Sequence, residues 1–316
     1  MTKVLFITST RLGDAVLSMG LLDHIIRTHP DARLTIVCGG LPSSLFAGMP
    51  HLDKLIVLKK QKYKKHWFRL WKQVVGTKWD IVVDLRNSLV SRLIPAQQRF
   101  IHGNHIDGKI HKTEQNARVM KLDTVPAPRL WLTEDQKRKA IELIPDGTPV
   151  IGVGPTANWI GKTWPAERFI EVIKTITAPD AKFPNARVAV FAAPGEEEAA
   201  YQVLNSIPKD RQLDVIAKGD PGTAAAALAR CVFYLGNDSG LMHCAAAAGV
   251  PTVGVFGPSY DNIYAPYGPH TAYVRTPETY DELIDFPGYD PKRLDRSLMT
   301  TLSVEQVLET IKKAGI

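Results

Sequence analysis

The sequence predicts an α/β protein of two doubly wound domains facing a central cleft. Three observations carry that prediction. Short apolar runs rich in β-branched residues alternate with helical stretches, the pattern of a parallel sheet covered on both faces. The alternation occurs twice, on either side of a proline-rich stretch at 125–128. The length, 316 residues, suits two domains of roughly 100–200 residues better than one.

Taken in order, Val4-Leu5-Phe6-Ile7-Thr8 is a buried strand. A turn follows over 9–14, then a helical pattern over 15–28 with Val16, Leu17, Leu21, Ile25 and Ile26 on one side. Further strands fit 33–38, 54–58 and 80–85. The second half repeats the design, with strands at 149–154, 187–191, 213–216, 232–236 and 252–256. Helices fit 165–176, 196–204, 223–230 and 240–248 between them. A last helix over 303–314 opens with the capping box Ser303-Val304-Glu305-Gln306. Strands joined through helices imply right-handed crossovers, and ligands of such sheets bind outside the carboxyl ends of the strands. The domain boundary is expected in the proline-rich stretch at 125–128 or the polar turn at 145–148, with the first domain taken to 145.

Composition narrows the function classes. The first 125 residues hold 20 Lys and Arg against 9 acids, the rest 19 against 23, so a basic part precedes a mildly acidic one. Cys38, Cys231 and Cys244 sit in apolar surroundings with neither a disulfide nor a zinc spacing, as core thiols of a reducing compartment do. No signal peptide or spanning segment is apparent, so a cytoplasmic protein is expected. A Walker loop, a G-x-S-x-G elbow, an H-E-x-x-H motif and the G-x-G-x-x-G fingerprint are all missing, and no cofactor or metal is expected.

Four motifs could carry chemistry. In Gly236-Asn237-Asp238-Ser239-Gly240-Leu241-Met242-His243 a strand runs through a polar turn into a helix of small residues. The amides of Ser239 and Gly240 and the helix dipole there favour an anion, with His243 one turn on. Asp238 would equally suit an ordinary N-cap. In Gly154–Phe169, Lys162 stands just before a Trp-Pro helix start and could offer a point charge to a diphosphate, aided by the Thr156 hydroxyl. A solvated surface lysine fits as well. Asp14, at the end of the first strand, could take a proton from a hydroxyl held in the cleft or could cap the following helix. Glu196 could hydrogen-bond a ribose diol, while Glu197 and Glu198 fit acids complementing a helix dipole.

Together these residues resemble the ADP-heptose:lipopolysaccharide heptosyltransferases, glycosyltransferase family nine. The resemblance rests on Leu12-Gly13-Asp14, Lys162-Thr163-Trp164-Pro165 with Glu167-Arg168-Phe169, the 236–243 motif, Phe256-Gly257-Pro258 and Ala265-Pro266-Tyr267-Gly268, in order along nearly the whole chain. It implies a GT-B fold of two Rossmann-like domains, an acceptor-binding one over 1–145 and a nucleotide-sugar-binding one over 146–295. The last helix, over 296–316, would pack back on the first domain. It also implies inverting, metal-independent transfer, with Asp14 as base, Lys162 on the nucleotide phosphates and Glu196 near the ribose. Asp238 would contact the donor sugar, and Ser239, Gly240 and His243 the diphosphate. The implied partners are a nucleotide-sugar donor, expected to be ADP-heptose, and a lipopolysaccharide core or other glycan acceptor. The alternatives are a family member using another nucleotide sugar, a nucleotide-sugar epimerase of the same fold, and a non-catalytic sugar- or lipid-binding module.

The stretch 59–75 holds seven lysines and arginines and no acid. As a helix it places Trp67, Leu70, Trp71 and Val74 on one side, the pattern of an interfacial helix drawn to anionic lipid. Lys60, Lys62, Lys64, Lys65, Arg69 and Lys72 are therefore candidates for contact with the acceptor or with the inner membrane, in a peripheral association. The other reading is a core-packed helix with a solvated basic face. No nucleic-acid motif accompanies the charge, and no nucleic-acid partner is expected.

Overall fold

The computed structural model describes residues 1–291 and 293–315, except for the side chain of Lys64. The chain divides into two compact units, one of residues 1–133 with 220–222, the other of 134–219 with 223–316. The division falls between the two boundaries expected from sequence, after 125–128 and before 145/146, because the helix over 134–143 belongs to the second unit.

The first unit is built on five parallel strands: β1 (Lys3–Ile7), β2 (Arg33–Gly39), β3 (Leu52–Leu58), β4 (Trp79–Asp84) and β5 (Ala96–Ile101), in the order β3-β2-β1-β4-β5. Side chains alternate across β1. Val4 and Phe6 join one core with Met19, Leu22 and Ile36, and Leu5 and Ile7 join the other with Val37, Leu70 and Val82. Helix α1 (Leu12–Thr28) covers the first face, and α2 (Lys65–Val74) buries Leu70 and Val74 in the second. A third helix, α3 (Lys112–Val119), packs on α1, with Asn116 Nδ2 donating to the Leu17 carbonyl at 3.0 Å. Strand order reverses between β1 and β4, so the loop after β1 leaves at a topological switch point.

The second unit opens with α4 (Glu134–Leu143) and holds six parallel strands: β6 (Val150–Gly154), β7 (Arg187–Val190), β8 (Gln212–Asp214), β9 (Phe233–Asn237), β10 (Thr252–Phe256) and β11 (Thr271–Arg275), in the order β11-β10-β9-β6-β7-β8. Its helices are α5 (Ala166–Ile176), α6 (Glu197–Asn205), α7 (Pro221–Leu228, whose first two residues fall in the first unit), α8 (Gly240–Ala247), α9 (Asp261–Tyr264), α10 (Tyr280–Ile284) and α11 (Val304–Lys313). Here the switch point lies between β6 and β9, whose carboxyl-terminal loops carry the Lys162 and Asp238 motifs. Gly154, the last residue of β6, pairs in register with Gly236, the last but one of β9. The buried Tyr234 phenol crosses both, and a Cβ at either glycine would collide with its hydroxyl. Gly249, at φ +79°, ends α8 in the left-handed region that a glycine adopts without strain.

The C-terminal helix corrects the expectation that it returns to the first domain. Val304, Val307 and Ile311 insert into the core of the second unit with Phe169, Val172 and Val255. Trp164 Nε1 donates to the Leu302 carbonyl at 3.0 Å, and the Arg168 guanidinium donates to the carbonyls of Leu302 and Thr300. The expected capping box is present, with Ser303 Oγ accepting from the Gln306 amide and Gln306 Oε1 from the Ser303 amide. The physical reason for the packing is the apolar stripe at 304, 307 and 311, which matches the flank of the unit's own sheet.

Candidate active site

In the first unit, Asp14 is the third residue of α1, not its cap. The N-cap is Arg11, whose side chain makes no capping bond. Asp14 is half-buried and accepts a hydrogen bond from Ser9 Oγ at 3.3 Å, while Ser9 Oγ accepts from the Arg11 amide at 3.1 Å. The capping role considered from the sequence is thus not its role here. A carboxylate in the first helical turn is favoured by the helix dipole, and α1 follows the loop that leaves β1 at the switch point.

The sequence does not single out Lys112. It is the first residue of α3, and its Nζ donates to Gln115 Oε1 at 3.1 Å. Gln115 is fixed in turn, its Nε2 donating to the carbonyls of Gly108 and Ile110 at 3.2 and 2.9 Å. Burial holds the Lys112 ammonium below the usual lysine range, and the charge of Asp14 works in the opposite direction. His102 is also held low, first by burial and then by the Lys112 charge. Asp84 is fully committed elsewhere: its carboxylate accepts from the Arg86 and Ser88 amides at 2.8 Å each and from Ser88 Oγ at 2.5 Å.

In the second unit, the loop after β6 and the turn after β9 meet. Lys162 Nζ donates to the Asp238 carboxylate at 3.1 Å and to the Asp238 carbonyl at 3.0 Å. The lysine is therefore an inward-held charge, not a solvated one, with 19 % of its side chain exposed. Asn237, buried on β9, accepts from the Trp164 amide at 3.0 Å and so fixes the lysine loop to the strand end. That tie escaped the sequence reading, although Asn237 lies within the motif itself. Asp238 does not cap α8. The N-cap is Ser239, whose side chain makes no capping bond, so the first amides of α8 are not satisfied by that hydroxyl. His243 is buried one turn along α8.

Thr156 and Glu196 are brought together, Thr156 Oγ1 donating to Glu196 Oε2 at 2.6 Å. Glu196 stands at the N-cap of α6 without capping it. Glu197 accepts from the Gly195 amide at 2.9 Å, and that bond holds its carboxyl below the usual range, as expected of an acid at a helix start. The structure thus gathers Thr156, Lys162, Glu196, Asp238, Ser239, Gly240 and His243 on the loops and helix starts that follow β6, β7 and β9. Among the described residues no group of three or more His, Cys, Asp or Glu is arranged to hold a metal ion.

The basic stretch corrects one expectation. The apolar side of α2 is spent on the core: Leu70 and Val74 are buried, Trp67 and Trp71 pack against them, and Trp71 Nε1 donates to the Leu93 carbonyl at 3.2 Å. That side cannot lie in lipid. Lys60, Lys62, Lys65, Arg69 and Lys72 are exposed, together with Tyr63 and Phe68, which are 90 % and 57 % exposed. Lys72 Nζ lies 4.8 Å from the centre of the Phe68 ring. The side chain of Lys64 falls outside the described residues. Among the described residues no helix is long and apolar enough to cross a membrane.

The chain is similar in sequence and in fold to known proteins. The sequence model of glycosyltransferase family 9 (heptosyltransferase) matches residues 109–283. The lipooligosaccharide heptosyltransferase 2 of Haemophilus influenzae is 21% identical, over 98% of this chain and 99% of its own. Among solved structures, a family 9 glycosyltransferase from Veillonella parvula superposes with a TM-score of 0.78 at 22% identity, covering 99% of this chain and 97% of its own. The E. coli ADP-heptose lps heptosyltransferase II superposes with a TM-score of 0.74 at 19% identity, covering 99% and 98%. The fold is theirs: two parallel α/β units of the GT-B kind.

Proposed function

The chain belongs to glycosyltransferase family 9, the heptosyltransferases, and from that premise we propose that it moves a heptose from ADP-heptose to a lipopolysaccharide core hydroxyl with inversion, Asp14 acting as general base. The observation that carries this reading is the Lys162–Asp238 pair beside the start of α8. In glycosyl transfer the bond from the anomeric carbon to the diphosphate breaks as the acceptor oxygen attacks. Positive charge grows on the sugar ring and negative charge on the leaving ADP. A lysine and a helix N-terminus meet the second need as preorganised charge. A carboxylate next to them meets the first, so Asp238 suits the donor sugar and Lys162 the phosphates. Ser239, Gly240 and His243 would line the diphosphate, and Glu196, held by Thr156, would receive the ribose diol.

Asp14 would take the acceptor proton as the new C–O bond forms, which requires the two units to act on one pair of substrates. We assign the exposed basic face of Lys60, Lys62, Lys65, Arg69 and Lys72 to the anionic groups of a lipid-linked acceptor or of the inner membrane that carries it. A peripheral cytoplasmic enzyme follows from that assignment.

The test is direct. Purified protein given ADP-heptose and a Kdo-bearing lipid acceptor releases ADP only when both are present. Release with a different nucleotide sugar alone would move the donor assignment, and product from donor without acceptor would replace transfer by epimerisation.

A further inference from the structure

Lys162 stands between two anchors. Downstream, the Trp164 amide is tied to the Asn237 side chain at the end of β9. Upstream, residues 160–162 form a single 3₁₀ turn. The Lys162 amide donates to the Trp159 carbonyl and the Thr163 amide to the Ile160 carbonyl, at 3.0 Å each. One such turn does not hold itself, because its formation fixes several dihedrals for very few hydrogen bonds. Its support comes from outside.

The Trp159 indole folds back over that turn. A Cβ at Gly161 would fall 2.7 Å from the indole Cζ2 and 2.9 Å from Leu294 Cδ2, so a side chain there would force them away. The Gly161 carbonyl accepts from the Leu298 amide at 3.1 Å. Tyr289 meets the indole edge to face, with ring centres 6.4 Å apart at 71°, and Phe286 meets Tyr289 likewise at 5.4 Å and 78°. The connection between α10 and α11 is thus a strap laid against the lysine turn through Tyr289, Leu294 and Leu298. The indole Nε1 is enclosed and has no hydrogen-bond partner among the described residues, so ring contacts are what fix this side chain.

We propose that Trp159, held by Tyr289 of the strap, is a positioning residue for Lys162: it fixes the backbone from which the ammonium reaches the donor phosphates. The proposal rests on Lys162 being the phosphate contact. The far end of the lysine is held by Asp238, whose two bonds use two of the three ammonium donors and leave one for a phosphate oxygen. A free lysine side chain loses rotamer freedom when it engages a ligand. With both ends held, that loss is met on folding and not when ADP arrives. A loosened turn returns it to the binding step.

The test is a double-mutant cycle read by calorimetric titration with ADP. Trp159→Ala weakens ADP binding by about threefold to tenfold, less than loss of the ammonium itself. In the Lys162→Ala background the same change has no further effect, because no ammonium is left to misplace. Trp159→Phe keeps an aromatic ring over Gly161 and restores the parent affinity. Should Trp159→Ala not fold, Tyr289→Ala on the strap carries the same cycle. A loss of equal size in both backgrounds, no loss at all, or a Phe variant as weak as the Ala one overturns the proposal. If Lys162→Ala itself leaves ADP affinity unchanged, the phosphate reading fails and takes this inference with it. If Lys162→Ala weakens ADP and the aromatic variants do not couple to it, only the present inference falls.

Discussion

Lys162 grips Asp238 twice, through its carboxylate at 3.1 Å and its backbone carbonyl at 3.0 Å, and so the ammonium is aimed at the turn where α8 begins. A diphosphate arriving at that turn competes with the carboxylate for the lysine. Lys162→Ala should therefore weaken ADP binding by about ten- to a hundredfold, the worth of one charged hydrogen bond of about 1.5–3 kcal/mol. Calorimetric titration with ADP checks this, and an unchanged affinity would remove Lys162 from the phosphate site.

Glu196 should matter for the nucleoside rather than for the phosphates. Thr156 holds one of its oxygens at 2.6 Å, which orients the carboxylate without neutralising it. Glu196→Ala should weaken ADP by severalfold while leaving inorganic pyrophosphate, which has no ribose, bound as before. Equal losses for both ligands would contradict the assignment.

The second unit depends on its C-terminal segment. The Trp164 indole, fully buried, donates to the Leu302 carbonyl. Trp164→Phe keeps most of the apolar contact but removes that donor, so it should cost about 1–2 kcal/mol. The thermal midpoint should fall by a few degrees, read by circular dichroism. An unchanged midpoint would mean that the Arg168 guanidinium alone satisfies the carbonyl.

All three thiols should be inert in the native protein. Burial pushes Cys38, Cys231 and Cys244 up to about 12, so almost no thiolate exists at neutral pH. A chromogenic disulfide reagent should react slowly with folded protein and with three equivalents in denaturant. The thiolate fraction of a low group rises with pH, so rapid native reaction at pH 8 would place at least one thiol well below that value.

Much of this was legible in the sequence because a buried parallel strand is an apolar run. The strands around 4–8, 80–85 and 149–154 announce themselves in that way. Two edge strands did not. Ala96–Ile101 reads AQQRFI and Thr271–Arg275 reads TAYVR, and both stay half-exposed with polar residues in the run. The meeting of Lys162 with Asp238 was legible because strand-end loops at a switch point converge whatever their sequence. The electrostatic influence of Asp14 on Lys112 was not, since it depends on how α3 docks on α1. The basic helix misled for a related reason. An apolar stripe that packs on a core looks the same in sequence as one that faces lipid, and only the burial of Leu70 and Val74 separates them.

The exposed charge of that helix still has a testable consequence. Lys65, Arg69 and Lys72 reversed together to Glu should abolish sedimentation with anionic vesicles and leave ADP affinity untouched. Each basic residue near such a surface is worth about 1 kcal/mol at ordinary ionic strength. Vesicle binding that survives the reversal would refer the contact to another surface.

In the proposed mechanism a carboxylate of the first unit takes the proton that the acceptor loses. Asp14→Asn keeps the shape and the Ser9 contact while removing the base. Steady-state ADP release from ADP-heptose and a Kdo-lipid acceptor should fall by about 10²–10⁴-fold in that variant, with donor affinity unchanged. Turnover at the parent rate would contradict the account.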